Sequence, residues 1–410
     1  MSLPHFRSSP APAHDAQRFV LGLGRALHTY GYSAHGLEEV MGEVAHRLGL
    51  ITQIFSTPTS IMVAFGPQDE QQTFLMRVEP GDQDLGKLAR LDHVIVEVMQ
   101  GTLPPAQGAR RVAEIVAAPP PYGQGLTTLA YGLSSGAVSR FLGGGLREAA
   151  VATVLGLLIG LLALAASRAR PLGRVFEPVA AFVASAGATL AGLWLHPLSV
   201  FTTTLSGLIV LIPGLTLTVA MTELSSRHLV SGIARLSSAF MLFLTIAFGV
   251  ALGGKLAAFV AGTPQSVAPA PLPGWTMLVA LIVVPLAFTV LLRAEPRDAG
   301  WIVVSGVIAF YSSRLGTDAL GVELGVFVGA FVVGAASNLY ARLLDRPSTI
   351  PLVPGILLLV PGSIGYRSLA ALLDKEVISG VETAFRMILM AVALVAGLMI
   401  SNVVTPARRS

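Results

Sequence analysis

Not one cysteine occurs in the 410 residues, which excludes disulfides, thiolate metal sites and cysteine nucleophiles while assigning no compartment. Charge is also scarce, at 12% of the chain, and aromatic residues reach only 7%. A soluble domain could hardly clothe its surface with so few charges. With 53% hydrophobic residues and a mean hydropathy of +0.72, the composition is that of a polytopic membrane protein. The opening stretch MSLPHFRSSPAPAHDAQ has no apolar core of the kind a secretory signal carries, so the first hundred or so residues are expected to remain in the cytoplasm.

The scarce charge is unevenly divided. Residues 1–123 hold nine Lys/Arg against twelve Asp/Glu, whereas 124–410 hold eighteen against eleven. The basic excess of the second part fits loops at an anionic membrane face, and no nucleic-acid partner is expected. The acidic part reads as a small α+β domain. Apolar residues three and four apart (Leu37, Val40, Met41, Val44, Leu48) predict two amphipathic helices between Ala16 and Leu50, broken at Gly31 and resumed at Ser33. The β-rich runs ITQIFST, SIMVAF and TFLMRV follow, and then helices near Asp84–Met99 and Pro105–Ala117.

Beyond Gly125, ten apolar segments are expected to span the membrane: 125–142, 148–167, 175–195, 199–221, 229–253, 274–292, 300–313, 318–341, 348–372 and 379–404. Placing the N-terminus inside puts Arg168, Arg170, Arg174, Arg227, Arg293, Arg297, Arg342, Arg346, Arg408 and Arg409 in inner connections. Only Arg147, Lys255, Arg314 and Lys375 fall in outer ones, so both termini are expected to be cytoplasmic, in a cell membrane. The expected domains are a cytoplasmic head with linker (1–123), a five-span half (124–256), an extracytoplasmic linker (257–273) and a second five-span half (274–410).

Two stretches resemble one another across these halves. Leu211-Ile-Pro-Gly214 matches Leu359-Val-Pro-Gly362 after a shift of 148 residues, and the same shift lays Ser231-Gly232 on Ser379-Gly380 and Gly249 on Gly397. With a slip of two, Arg147-Glu148 meets Arg297-Asp298 and Glu177 meets Glu323. An odd number of spans per copy turns the second copy upside down, which makes an inverted 5+5 repeat. A proline within a helix removes a backbone donor and costs about 3 kcal/mol. At membrane depth the freed groups persist only against protein or a wet cavity. Pro213, Gly214, Pro361 and Gly362 therefore predict discontinuous fourth and ninth spans whose half-helix N-termini face a substrate carboxylate near the bilayer centre. A plain proline kink that only shapes packing is the alternative.

At these residues the chain resembles the threonine/serine exporter family in its fused form. The matching stretches are YGYSAHGLEEVMGEVAHRLGL, STPTSIMVAF, GGGLREA, LIPGLTLT, LVSGIARL and PLVPGILLLVPGSIGYRSL, spread from about Arg18 to Ser401. The resemblance implies a secondary exporter of small polar amino acids driven by the proton gradient, with a C4-dicarboxylate as the alternative substrate and no enzymatic activity. The head departs from the enzyme-like role suggested for such domains in that it shows no clear nucleophile and base set.

Charges inside spans are costly and point to function. Arg235 lies in the GIAR stretch and is a candidate carboxylate partner through a bidentate contact. Arg386 is another, although Glu382 four residues earlier could simply pair with it. Proton coupling needs an acid whose pKa can be raised by desolvation and lowered by an approaching cation. Glu223 ranks first, with Glu177, Glu323 and Glu382 behind it. Each of these could instead be an interfacial helix-end residue, and Glu177 before Pro178 fits a helix start. Hydroxyls at Thr216, Thr218, Thr222, Ser363 and Tyr366 could bind the substrate, or merely pack helices.

Six of the eight histidines (His5, His14, His28, His35, His46, His93) lie in the head at spacings that fit no metal motif. GLSSG at 132–136 matches a nucleophile elbow but falls inside the first span, where tight helix packing explains it better than a membrane-anchored hydrolase. A gated passive pore is the remaining alternative. No cofactor and no metal are expected. The expected partners are a small-molecule substrate (amino acid or carboxylate), protons and the lipid bilayer, and a homo-oligomer is compatible with the sequence.

Overall fold

A computed structural model describes residues 11–265, 268–373 and 375–406. His5, Arg408 and Arg409 lie outside the described residues. The protein is a polytopic helical membrane protein with a small α+β head, and its chain divides into two compact units. One is the head up to Pro119 together with the segment Glu223–Ala234. The other runs from Pro120 to Thr222 and resumes at Arg235.

The head begins with helices α1 (Ala11–Thr29) and α2 (Ala34–Arg47). Gly31, at φ 90°, turns the chain between them, and the Ser33 side chain accepts the Gly36 amide to start α2. Strands β1 (Thr52–Thr57), β2 (Ser60–Phe65) and β3 (Gln72–Arg77) form an antiparallel meander in the order β1-β2-β3, with Val63 opposite both Ile54 and Phe74. Alternation along β2 sends Ile61, Val63 and Phe65 into the core. There they meet helices whose buried stripes include Phe19, Leu23 and Leu27 from α1 and Leu37 and Met41 from α2. Helix α3 (Leu85–Met99) starts at Asp84, which accepts the Lys87 amide, and α4 (Pro105–Ala117) closes the head against α1. The predicted elements are all present, and α1 starts five residues earlier than the pattern from Ala16 suggested.

The membrane body holds two runs of helices in the same order. The first is α5 (Gln124–Phe141), α6 (Leu146–Arg168), the single turn α7 (Arg170–Gly173), α8 (Phe176–Trp194), α9 (Val200–Gly207), α10 (Gly214–Ser225) and α11 (Leu229–Ala261). The second is α12 (Thr276–Leu291), α13 (Ala299–Leu320), α14 (Val322–Leu344), α15 (Thr349–Leu359), α16 (Gly362–Leu373) and α17 (Val377–Val404).

Each of the ten predicted segments is helical, yet fewer are long and apolar enough to cross a membrane on their own. Among the described residues α6, α8, α11, α14, α17 and the α15–α16 pair qualify, and α9 with α10, bent by 52°, makes a seventh. Helix α12 is only 16 residues long, and α5 and α13 are diluted by residues such as Ser134, Ser135, Arg140, Ser312, Arg314 and Asp318. Arg314 and Lys255, expected in outer loops, sit within α13 and α11.

Matched glycines perform the same task in both runs. A Cβ on Gly249 of α11 would run into the Pro178 carbonyl of α8, and one on Gly397 of α17 would stand 2.5 Å from the Phe327 carbonyl of α14. Glycine lets the last helix of each run close on the third.

Contacts among the connections fall into two sets. In one, Tyr122 Oη donates to the Ala294 carbonyl (2.7 Å), Arg346 pairs with Asp298, and Arg342 donates to the Pro406 carbonyl (2.6 Å). In the other, Arg140 donates to Thr276 Oγ1 (2.8 Å) and the Ser199 amide donates to Glu148 (2.8 Å). The first set joins connections expected at the inner face, and the second joins those expected at the outer face.

Candidate functional site

The Pro-Gly interruptions are real breaks with the same backbone. Ile212 and Val360, matched by the 148-residue shift, are both extended (φ −67°, ψ 124° and φ −64°, ψ 131°), and a new helix starts at Gly214 and at Gly362. Pro213 and Pro361 cannot donate, and they sit where a first-turn donor would be orphaned in any case. Their carbonyls accept the Leu217 amide and the Ile364 and Gly365 amides.

The two breaks touch. A Cβ on Gly214 would lie 2.5 Å from Val360 Cγ1, and one on Gly362 would lie 2.6 Å from Ile212 Cγ2 and 3.6 Å from Gly214 Cα. Both prolines and both glycines are buried. Two half-helix N-termini thus start side by side, where their free N–H groups and positive dipole ends favour an anion.

Hydroxyls near the breaks differ in their engagement. Thr218 Oγ1 donates back to the Gly214 carbonyl (3.1 Å), and Thr222 Oγ1 donates to that of Thr218 (2.9 Å). Thr216 and Ser363, on the first turns of α10 and α16, are half-buried. Tyr366 is buried among Ile159, Ala180, Leu205 and Ile246, with its ring 5.6 Å from that of Phe201, so α16 reaches into the core of the first run.

The predicted charges are scattered. Arg235 is half-buried on the second turn of α11. Arg386 is exposed and lies 3.5 Å from both Glu323 and Glu382, an ion-pair triad that joins α17 to the start of α14. Glu177 is half-buried on the first turn of α8. Glu223 is fully buried on the last turn of α10, and its Oε1 accepts the Ala34 amide at the start of α2 (2.8 Å). Beside it, His228 lies 3.2 Å from Glu38 and its ring stands 5.2 Å from that of His35.

Arg367 escaped the sequence reading although it lies in the quoted GSIGYRSL stretch. It stands on the second turn of α16, exposed, with its guanidinium carbon 5.8 Å from the centroid of the Phe201 ring of α9. It makes no ion pair among the described residues. The signal was available, since it is a cation within two turns of a break. Ser134 of the GLSSG stretch donates to the Tyr131 carbonyl inside α5 (3.0 Å), a packing arrangement within a helix. No group of three metal-ligating side chains occurs among the described residues.

Helices in this order, with two interrupted members in contact, define a polytopic helical membrane protein. The profile described as "Putative threonine/serine exporter" matches residues 18–257, and "Threonine/Serine exporter, ThrE" matches residues 277–404. The chain therefore belongs to the threonine/serine exporter family. Among curated proteins it is similar to "Pheromone-regulated membrane protein 10" of Eremothecium gossypii, 28% identical over 381 residues, which is 90% of this chain and 50% of the fungal protein. The protein of the same name from Candida albicans is 28% identical over 384 residues, 90% of this chain and 34% of that protein. That from Yarrowia lipolytica is 26% identical over 370 residues, 86% of this chain and 30% of that protein. The chain thus spans half or less of the length of these relatives. No solved structure matches it.

Proposed function

We propose that the protein is a secondary active exporter of threonine, serine and similar small polar amino acids, working by alternating access around the paired breaks of α9–α10 and α15–α16. The observation that carries this reading is the contact between two sequence-matched Pro-Gly interruptions. The two sets of connection contacts support an inverted arrangement, because an odd number of crossings in each run puts equivalent connections on opposite faces. The half-helix N-termini with Pro213, Gly214, Pro361 and Gly362 receive the substrate carboxylate, and Thr216, Thr218, Ser363 and Tyr366 line its surroundings.

Arg367 is the carboxylate partner best placed for this task, with Arg235 as the second candidate. Arg386, already held by two acids, is better suited to closing α17 on α14. An arginine on α16 that makes no ion pair among the described residues favours a monocarboxylate over a C4-dicarboxylate. Coupling to protons rests on an acid that gains and loses a proton as the cycle turns. Glu323 and Glu382 share one arginine between them, so one of the two can be protonated without leaving a cation unpaired. Glu177 and Glu223 are the other candidates. The membrane is the cell membrane, with the head on the cytoplasmic side.

Export of labelled threonine, serine and succinate from loaded vesicles, with and without a proton gradient, tests the reading. Threonine and serine leave against their gradient only when protons are driven, and Arg367→Gln abolishes this while inserting normally. Export that persists after the gradient collapses would instead indicate a passive pore.

A further inference from the structure

Two acids outside the breaks occupy matched places. Glu148 is on the first turn of α6, and Asp298 immediately precedes α13; the repeat aligns them through Arg147-Glu148 and Arg297-Asp298. Each is only 1% exposed, and each sits at the start of the second helix of its run. A buried carboxylate is costly unless its oxygens are satisfied, so each site is built around the charge.

Their partners are matched as well. Glu148 Oε2 accepts the Gly145 amide (2.9 Å), capping its own helix, while Oε1 accepts the Ser199 amide (2.8 Å) at the N-cap of α9. Asp298 accepts from Arg346, which precedes α15; Glu295 lies 3.9 Å from the same guanidinium and is itself paired with Arg297 at 2.6 Å. In both runs, therefore, an acid at the start of the second helix holds the connection that leads into the interrupted helix. One grip goes through a backbone amide and the other through an arginine.

We propose that Glu148 and Asp298 are positioning residues for transport, each anchoring the outer segment of one broken helix so that one face of the membrane stays closed. The proposal rests on the alternating-access reading above. Under the charge-based orientation the Asp298–Arg346 anchor lies at the cytoplasmic face and the Glu148–Ser199 anchor at the outer face. Releasing them must therefore bias access in opposite directions. Glutamine at 148 keeps one acceptor but turns a donor toward the second N–H, and asparagine at 298 loses the charge that holds Arg346.

The absence of cysteine makes a direct test simple. A single Thr216→Cys reporter in the full chain, reconstituted in vesicles, is labelled with a membrane-impermeant maleimide from either face. Reporter labelling from both faces that threonine suppresses tests alternating access itself; labelling from one face only overturns that reading first. On this background Asp298→Asn should raise the ratio of cytoplasmic to outer labelling by about fivefold or more, and Glu148→Gln should lower it by a similar factor. Arg346→Lys should move it in the same direction as Asp298→Asn, and Asp298→Glu should restore it. Shifts in the same direction, no shift, or failure of all the anchor variants to insert would overturn the proposal and leave the acids a purely structural role.

Discussion

Gly362 lies against Gly214, so closely that a side-chain carbon on the first would stand 3.6 Å from the Cα of the second. Two interrupted helices from different runs begin again at a single place. Alanine at either position must displace Val360 or Ile212, both β-branched and stiff at χ1. Overpacking of this kind costs about 1–3 kcal/mol. Gly214→Ala and Gly362→Ala are expected to lose most export while expression and insertion stay near normal. Paired measurements of initial export rate and membrane-inserted amount check this.

The arginines should separate by their surroundings. Arg386→Gln removes one member of an exposed triad, worth about 0–1 kcal/mol, and should leave at least half of the export rate. Arg367→Gln should abolish export. Arg367→Lys, which keeps charge but loses the planar fork, should recover only a minor part. Rates and threonine affinity measured on all three variants decide the matter.

Within the head unit, Glu223 caps α2 through the Ala34 amide. Replacing a buried acceptor of this kind costs about 1–3 kcal/mol. Glu223→Ala is thus expected to lower the melting temperature by several degrees and to speed proteolysis near Ser33, whether or not transport falls. If export is lost while melting is unchanged, the residue's role lies in the transport cycle.

Burial raises the Asp298 carboxyl above its ordinary value, outweighing the opposing pull of Arg346 beside it. An acid whose pKa is higher folded than unfolded binds protons more readily when folded. Its contribution to stability is therefore greatest below the unfolded value and declines as pH rises through the folded one. Its ion pair with Arg346 is lost on acidification sooner than an ordinary aspartate's would be. The access ratio of the single-cysteine reporter should accordingly drift toward the cytoplasmic face as internal pH falls, and Asp298→Asn should abolish that drift.

Much of this architecture was legible because local chemistry wrote it. The Pro-Gly pairs marked the breaks, Gly31 and Ser33 marked the turn into α2, and alternation along SIMVAF marked β2. What the sequence did not disclose depends on distant neighbours. Nothing local says that Glu223–Ala234 belongs with the head, which follows from the amide of Ala34 and the carboxylate of Glu38. Arg386 looked eligible as a carboxylate partner, with only Glu382 to pair with it, until Glu323, on another helix, was seen beside it. Helix α13 continues past 313 through Arg314 to Leu320, across the connection that had been expected between 313 and 318.

The central claim is that the two breaks meet and must move for transport. Cysteines at Ile212 and Gly362 test it in the otherwise cysteine-free chain: replacing Ile212 removes the Cγ2 that a side chain at 362 alone would strike, and the present contact places the two Cβ atoms about 4 Å apart, within disulfide range. Mild oxidation should join them within one chain and stop threonine export, and reduction should restore it. Failure to cross-link in a variant that still exports, or export undiminished by the cross-link, would contradict the account.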